Sequence, residues 1–221
     1  MQTQKPRTQK PIPPYSLGDE IFSSITHGVA ALCGLVVLVV CVYVAWTREL
    51  GWIAVTAVSV FGVTAFLGFT ISTVYHALGM HGGRRVMRVL DHCSIYFIIA
   101  GTYTPFALIA IGGWVGWAIC GANWALCALG TTLTAVNREK FRRFAFACYL
   151  TMGWLAVVAV VPIIRALGLG ASFWLLLGGG VAYTVGAFIY KKQGKYIHGV
   201  WHLFTLAGLS MHFFSILVYI M

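Results

Sequence analysis

HGVWHLFTLAGLSMHFFSILVYI, residues 198–220, decides the class of fold. It contains no Asp, Glu, Lys or Arg, and it is as long as the ~20 apolar residues that a helix needs to cross a bilayer core. Working outward, further apolar runs at 21–46, 52–78, 89–111, 114–136, 141–164 and 173–190 predict six more helices. The expected architecture is all-α: a polytopic seven-transmembrane-helix bundle over residues 19–221, N-terminus cytoplasmic and C-terminus outside. A polar, Pro-rich tail, residues 1–18, reads as disordered and cytoplasmic. The runs do not alternate polar and apolar residues, which argues against a membrane barrel. Gly112 and Gly113 predict a tight turn, and Tyr103, Thr104 and Pro105 a kink that neighbouring helices can tolerate.

Composition agrees. Of 221 residues, 60% are hydrophobic and 9% charged, where soluble domains carry ~45–50% and ~25%. Too few charges remain to coat a water-facing surface. The net charge of +10 does not point to nucleic acid, because the basic residues come in short clusters between apolar runs rather than in a free basic domain. Apart from Arg48 and Arg165, every Lys and Arg falls in the tail or in loops on the tail's side of the membrane. The positive-inside rule then gives the stated orientation. Six cysteines lie within or beside apolar runs and form no CxxC pair, so they read as small apolar packing residues.

Ionisable groups inside a membrane are costly, so each of the five acidic residues and seven histidines is informative. The charge pattern brings Glu20, His27, His76, Asp91, His198 and His202 to one leaflet. Ser72 and His76 are four residues apart, as are His198 and His202, and each pair shares a helix face. An HxxxH pair presents two imidazoles to one metal. Three His ligands leave a fourth tetrahedral position open, the pattern of a catalytic zinc. Asp91 would then accept a proton, and Ser72 would orient water or a carbonyl.

Blander roles suit the rest. His81 and His92 read as hydrogen-bonded packing residues. His212 sits ten residues past His202, about 15 Å deeper, and reads as an interior hydrogen-bonding residue. Arg88 is a possible ion partner for Asp91, and Glu20 a possible helix cap. Gly178, Gly179, Gly180 and Gly186 read as a close-packing face. No phosphate-cradling loop or GxSxG elbow is present.

Several segments, in order, carry a family likeness: EIFSSITHG at 20–28, STVYH at 72–76, DHCSIYFIIAGTYTPF at 91–106, YLTMGW at 149–154 and GGGVAYTVGAFIYKKQGKYIHGVWHLFTLAGLSMH at 178–212. The sequence resembles the hemolysin III family, the bacterial branch of the progestin and adipoQ receptor superfamily. The resemblance implies a seven-helix bundle in the bacterial inner membrane. It implies Zn²⁺ on His76, His198 and His202, with Ser72 and Asp91 beside it. Relatives include alkaline ceramidases, which implies hydrolysis of lipid amide or ester bonds, with membrane lipids as partners and substrates. The first-helix motif commonly has Asn where this chain has Ser23 and Ser24, so the resemblance assigns no role to Glu20 and His27. Two other functions compete. One is a receptor or regulator with a structural zinc. The other is a pore-forming cytolysin, which the uniform hydrophobicity disfavours.

Overall fold

A computed structural model of the chain describes residues 16–79, 83–192 and 194–221. The expectations for residues 1–15 and for His81 lie outside those residues. The helices are α1 (Leu17–Thr47), α2 (Gly51–Ala77), α3 (Arg84–Pro105), α4 (Gly113–Gly153), α5 (Leu155–Val158), α6 (Val160–Leu167), α7 (Ala171–Tyr190) and α8 (Ile197–Ile220). A wider π-helical turn, Phe106–Ile111, prolongs α3. It follows Pro105, which has no N–H to continue the α-helical ladder. No strand occurs among the described residues.

Six helices among the described residues are long and apolar enough to cross a membrane. The expected span 114–136 and most of the span 141–164 fall within one of them, the stretch Gly113–Val158. That stretch is not straight. Asn137 is non-helical (φ −159°, ψ 83°), and its side chain accepts from Lys140 N–H at 3.0 Å, a cap for the helix that follows. Past this break the two halves of α4 lie side by side: Asn123 donates to Met152 O at 3.4 Å, and Cys148 Sγ approaches Leu126 O at 4.0 Å. The second half also ends earlier than expected. It stops at Gly153, and the short helices α5 and α6 follow. Pro162 lies within α6; without an N–H it fits only near a helix start, and the break at Ala159 supplies that start.

Helix α1 starts at Leu17, within the segment 1–18 that was expected to precede it. Ser16 and Asp19 form its capping box, Ser16 Oγ accepting from Asp19 N–H and Asp19 from Ser16 N–H. Helix α3 begins at Arg84, inside what the sequence suggested was a loop.

In the bundle α1 packs on α2 and α8, α2 on α3, α3 on α4, and α7 on α8. Large apolar side chains such as Leu32, Trp114, Val136 and Val158 point outward and are exposed, as on helices whose solvent is lipid. Lipid provides no hydrophobic drive between helices, so small residues and close backbones hold them together. Gly34 meets Phe66 and Ala65, and a Cβ on Gly62 would stand 2.5 Å from Leu38 Cβ. Gly62→Val should therefore force α1 and α2 apart, costing about 1–3 kcal/mol or more. The check is a lowered unfolding temperature in detergent, with Gly121→Ala as the control, since nothing lies within 4 Å of a Cβ there. The core centres on Phe61, Ala65, Phe69, Leu209 and Ile216, with a second cluster of Tyr96, Cys127, Cys148 and Met152 between α3 and α4. All six cysteines are free thiols, and five are buried.

Candidate metal centre and cavity

Helix α8 carries two of the three histidines, and its start is tied to α1. Tyr196, just before α8, is left-handed (φ 63°), an uncommon conformation for a bulky residue. Asp19 accepts its backbone N–H at 2.5 Å, and its ring packs edge-on against Phe22. Asp19 thus caps α1 and fixes the entry of α8. Gly199, between the two histidines, is where α8 meets Phe22, and a Cβ there would collide with that ring.

These restraints bring three imidazoles together. The ligand atoms of His76, His198 and His202 lie within 4.8 Å of one another, a group able to hold a metal ion. His76 Nε2 and His198 Nε2 are 3.1 Å apart. Two nitrogens on a tetrahedral ion, each bonded at about 2.0–2.1 Å, stand about 3.3 Å apart, so the spacing suits a shared ion. The outer partners set the rings' polarity. His76 Nδ1 meets Glu20 Oε2 at 2.7 Å, and His202 Nδ1 meets Ser23 O at 3.2 Å. With each Nδ1–H donating, Nε2 carries the lone pair of both rings. Metal-binding histidines almost always donate their other ring N–H in this way. The donor set fits zinc.

Glu20 is the residue that the sequence reading understated. It does not cap α1. It is buried between His76 and Arg84, accepting from the Arg84 guanidinium, and Arg84 Nη1 also donates to Gly79 O at 2.5 Å. A buried carboxylate with a histidine on one oxygen and a guanidinium on the other is held in one orientation. His27 joins from the same helix, its ring stacked on His202 at 3.4 Å between centroids and its Nε2 3.2 Å from Thr205 Oγ1. The signal for Glu20 was a carboxylate at the edge of a long apolar run. Its link to Arg84 spans 64 positions, and no local pattern reveals it.

Asp91 and Ser72 line the same cavity as His27, His198 and His202. Ser72 Oγ is buried beside the Asp91 carboxylate. Asp91 does not pair with Arg88 as the spacing suggested. A ring nitrogen of His92 lies 3.6 Å from the Asp91 carboxylate, whereas Arg88 reaches toward Glu139 at 3.9 Å. His92 is a packing residue as expected, bonded to Arg88 O and to the Arg138 guanidinium.

The cavity measures about 1370 Å³, above the ~300–1,000 Å³ usual for drug-sized ligands. Arg88, Arg138, Lys191 and Lys195 border it, as do Ile98, Thr102, Tyr183 and His212. His212 is an interior hydrogen-bonding residue, its Nε2 bonded to Leu176 O at 3.0 Å.

The sequence profile of the haemolysin-III related family matches residues 15–213. The chain is 38% identical to "Hemolysin-3" of Bacillus cereus over 205 residues, covering 92% of each protein. It is 34% identical to "Hemolysin-3 homolog" of Bacillus subtilis (strain 168), covering 93% of this chain and 96% of that one. A more distant likeness, 27% over 188 residues, is to the human "Monocyte to macrophage differentiation factor", covering 79% of this chain and 72% of that one. With its apolar helices, these matches identify the chain as a multi-pass membrane protein that belongs to the haemolysin-III related family.

Proposed function

We propose that this protein is a zinc-dependent hydrolase of lipid amide or ester bonds, with membrane lipids as its substrates and no role in nucleic-acid binding. The observation that carries this reading is the group of His76, His198 and His202 beside a large cavity that His198 and His202 line together with Asp91 and Ser72. A zinc ion held by the three imidazoles would supply Lewis acidity, polarising an acyl carbonyl and lowering the pKa of water to about 7. The protein's own groups do the rest. Asp91 accepts a proton from the attacking water and returns it to the leaving amine or alcohol. Ser72, whose hydroxyl lies beside the Asp91 carboxylate, donates to the carbonyl oxygen or holds the water. Glu20 keeps His76 in the tautomer that presents Nε2, and the cavity beyond Asp91 receives the acyl chain.

The same proposal includes a membrane topology of seven spans. A straight stretch as long as Gly113–Val158, 46 residues, would reach about 69 Å, more than twice a bilayer core of about 30 Å. Splitting it at Asn137 gives two crossings and leaves Arg138, Lys140, Arg142 and Arg143 at the turn between them. The charge bias then orients the N-terminus and this turn toward the cytoplasm.

The deciding experiment incubates detergent-purified, zinc-loaded protein with ceramide and with a long-chain N-acyl amide. Release of free fatty acid, lost on chelation and restored by zinc, supports the reading; zinc-loaded protein that turns over neither substrate sinks it. A narrower expectation concerns Glu20→Gln. Weakening the carboxylate that orients His76 should reduce zinc affinity roughly 10–100-fold, measured by competition with a chelator.

A second reading has an observation of its own. The histidine group ties α8 to α2, and to α1 through Glu20, Ser23 and Thr26. A metal there would cross-link three helices, as suits a receptor or regulator with a structural zinc. That reading expects chelation to lower the unfolding temperature without removing any catalytic turnover.

A further inference from the structure

The far end of the cavity holds a second polar site. Tyr183 on α7 and His212 on α8 both line it, with ring centroids 5.6 Å apart. His212 is 8% exposed. Tyr183 OH and His212 Nδ1 are buried polar atoms with no hydrogen-bond partner among the described residues. Their neighbours are satisfied. Tyr103 OH donates to Gly153 O at 2.6 Å and accepts from Ala156 N–H at 2.8 Å, and Trp154 donates to Thr184 at 3.0 Å. Leaving a buried polar group unpaired costs about 1–3 kcal/mol, so two together in a cavity wall call for an explanation.

Both rings are held in place by glycines. Gly179 lies against His212, where a Cβ would overlap the imidazole, and a Cβ on Gly208 would stand 2.6 Å from Tyr183 Cδ2. The Gly178, Gly179, Gly180 run is thus more than a packing face, since Gly179 seats a polar ring and Gly180 borders the cavity.

The chemistry of the two atoms names the group that fits. His212 Nε2 faces a carbonyl, Leu176 O, and so must carry the proton. Nδ1 is therefore an acceptor only, while the Tyr183 phenol can donate. A hydroxyl answers both, giving its proton to Nδ1 and accepting from the phenol. A ketone can only accept, and a methylene does neither. His212 lies ten residues beyond His202 on one helix, so the site is about 15 Å from the metal-binding end.

We propose that Tyr183 and His212 form a subsite for a hydroxyl group partway along a lipid chain, so that the cavity selects hydroxylated acyl chains. This rests on the reading that the cavity takes a lipid, but not on hydrolysis. The test is equilibrium binding by the full-length protein in detergent, with and without zinc. The probes are hexadecanoic acid, a series of its hydroxy derivatives with the hydroxyl moved along the chain, and the matching keto derivatives. At one hydroxyl position the wild type should bind about tenfold tighter than it binds the plain acid, as one added hydrogen-bonded group allows. The keto derivative at that position should lose the gain. Tyr183→Phe should lower the ratio of hydroxylated to plain affinity toward one, whatever its affinity for the plain acid. Equal affinity for plain and hydroxylated chains at every position would overturn the proposal and mean that ordered water satisfies the two atoms. A preference undiminished in Tyr183→Phe would also overturn it. Failure to bind even the plain acid would remove the lipid reading of the cavity, and this subsite with it.

Discussion

His76→Ala and His202→Ala should each purify without bound zinc, where the wild type should carry about one zinc per chain. Each substitution removes one of three imidazoles whose ligand atoms lie within 4.8 Å, and two remaining nitrogens hold the ion far less tightly. His76 and His202 are almost completely buried, at 2% and 1% exposure, so solvent ligands cannot easily replace them. Elemental mass spectrometry of the detergent-purified proteins provides the count, and lipid-amide turnover should fall to background in both. The informative control is His92→Ala. That histidine lies near Asp91 but bonds Arg88 O and Arg138, and its loss should leave zinc content unchanged. A wild type that folds well and carries no metal would refute the centre. The histidines would then be a hydrogen-bonded packing network.

Asp91→Asn should separate chemistry from metal binding. Asparagine keeps the size and hydrogen-bonding capacity of the side chain but cannot take a proton. Turnover should fall by roughly 10²–10⁴-fold, the usual contribution of a positioned general base, while zinc content stays near one per chain. Asp91 is not among the three clustered ligands, which is why the two effects should part. Paired measurement of zinc content and kcat decides the matter. If zinc and turnover disappear together, Asp91 serves the metal centre rather than the proton transfer. If neither changes, it has no part in the reaction. The structural-zinc reading makes the opposite forecast for stability, since only loss of the ion, and not of the Asp91 charge, should then lower the unfolding temperature.

Most of the bundle could be read from one dimension. Apolar length marks a span because an intramembrane helix satisfies its own backbone hydrogen bonds, and that requirement is local. Residues 198–220 anticipate α8 to within a residue of its start, Ile197. The four-residue spacings of Ser72 with His76 and of His198 with His202 are local too, and each pair lies within a single helix, on α2 and α8. Helix ends were less legible. The run 141–164 looks continuous in hydropathy, yet the helix stops at Gly153 and resumes in short pieces, because backbone angles at Trp154 and Ala159 leave no trace in apolar content.

Which side chains complete the site was a matter for the folded bundle. Glu20 is one of two adjacent acids near a helix start, and in sequence it looks like a cap. Ser16 and Asp19 had already filled that role, which freed Glu20 to turn inward to His76 and Arg84. The stacking of His27 on His202, and the packing of Tyr183 beside His212, likewise join residues on different helices. Sequence alone established the membrane class, most of the spans and the three histidines, because helix periodicity and hydropathy act over a few residues. The orienting carboxylate, the cavity and its uncommitted polar atoms came from packing, because a hydrogen bond is decided by which helices meet and at what depth.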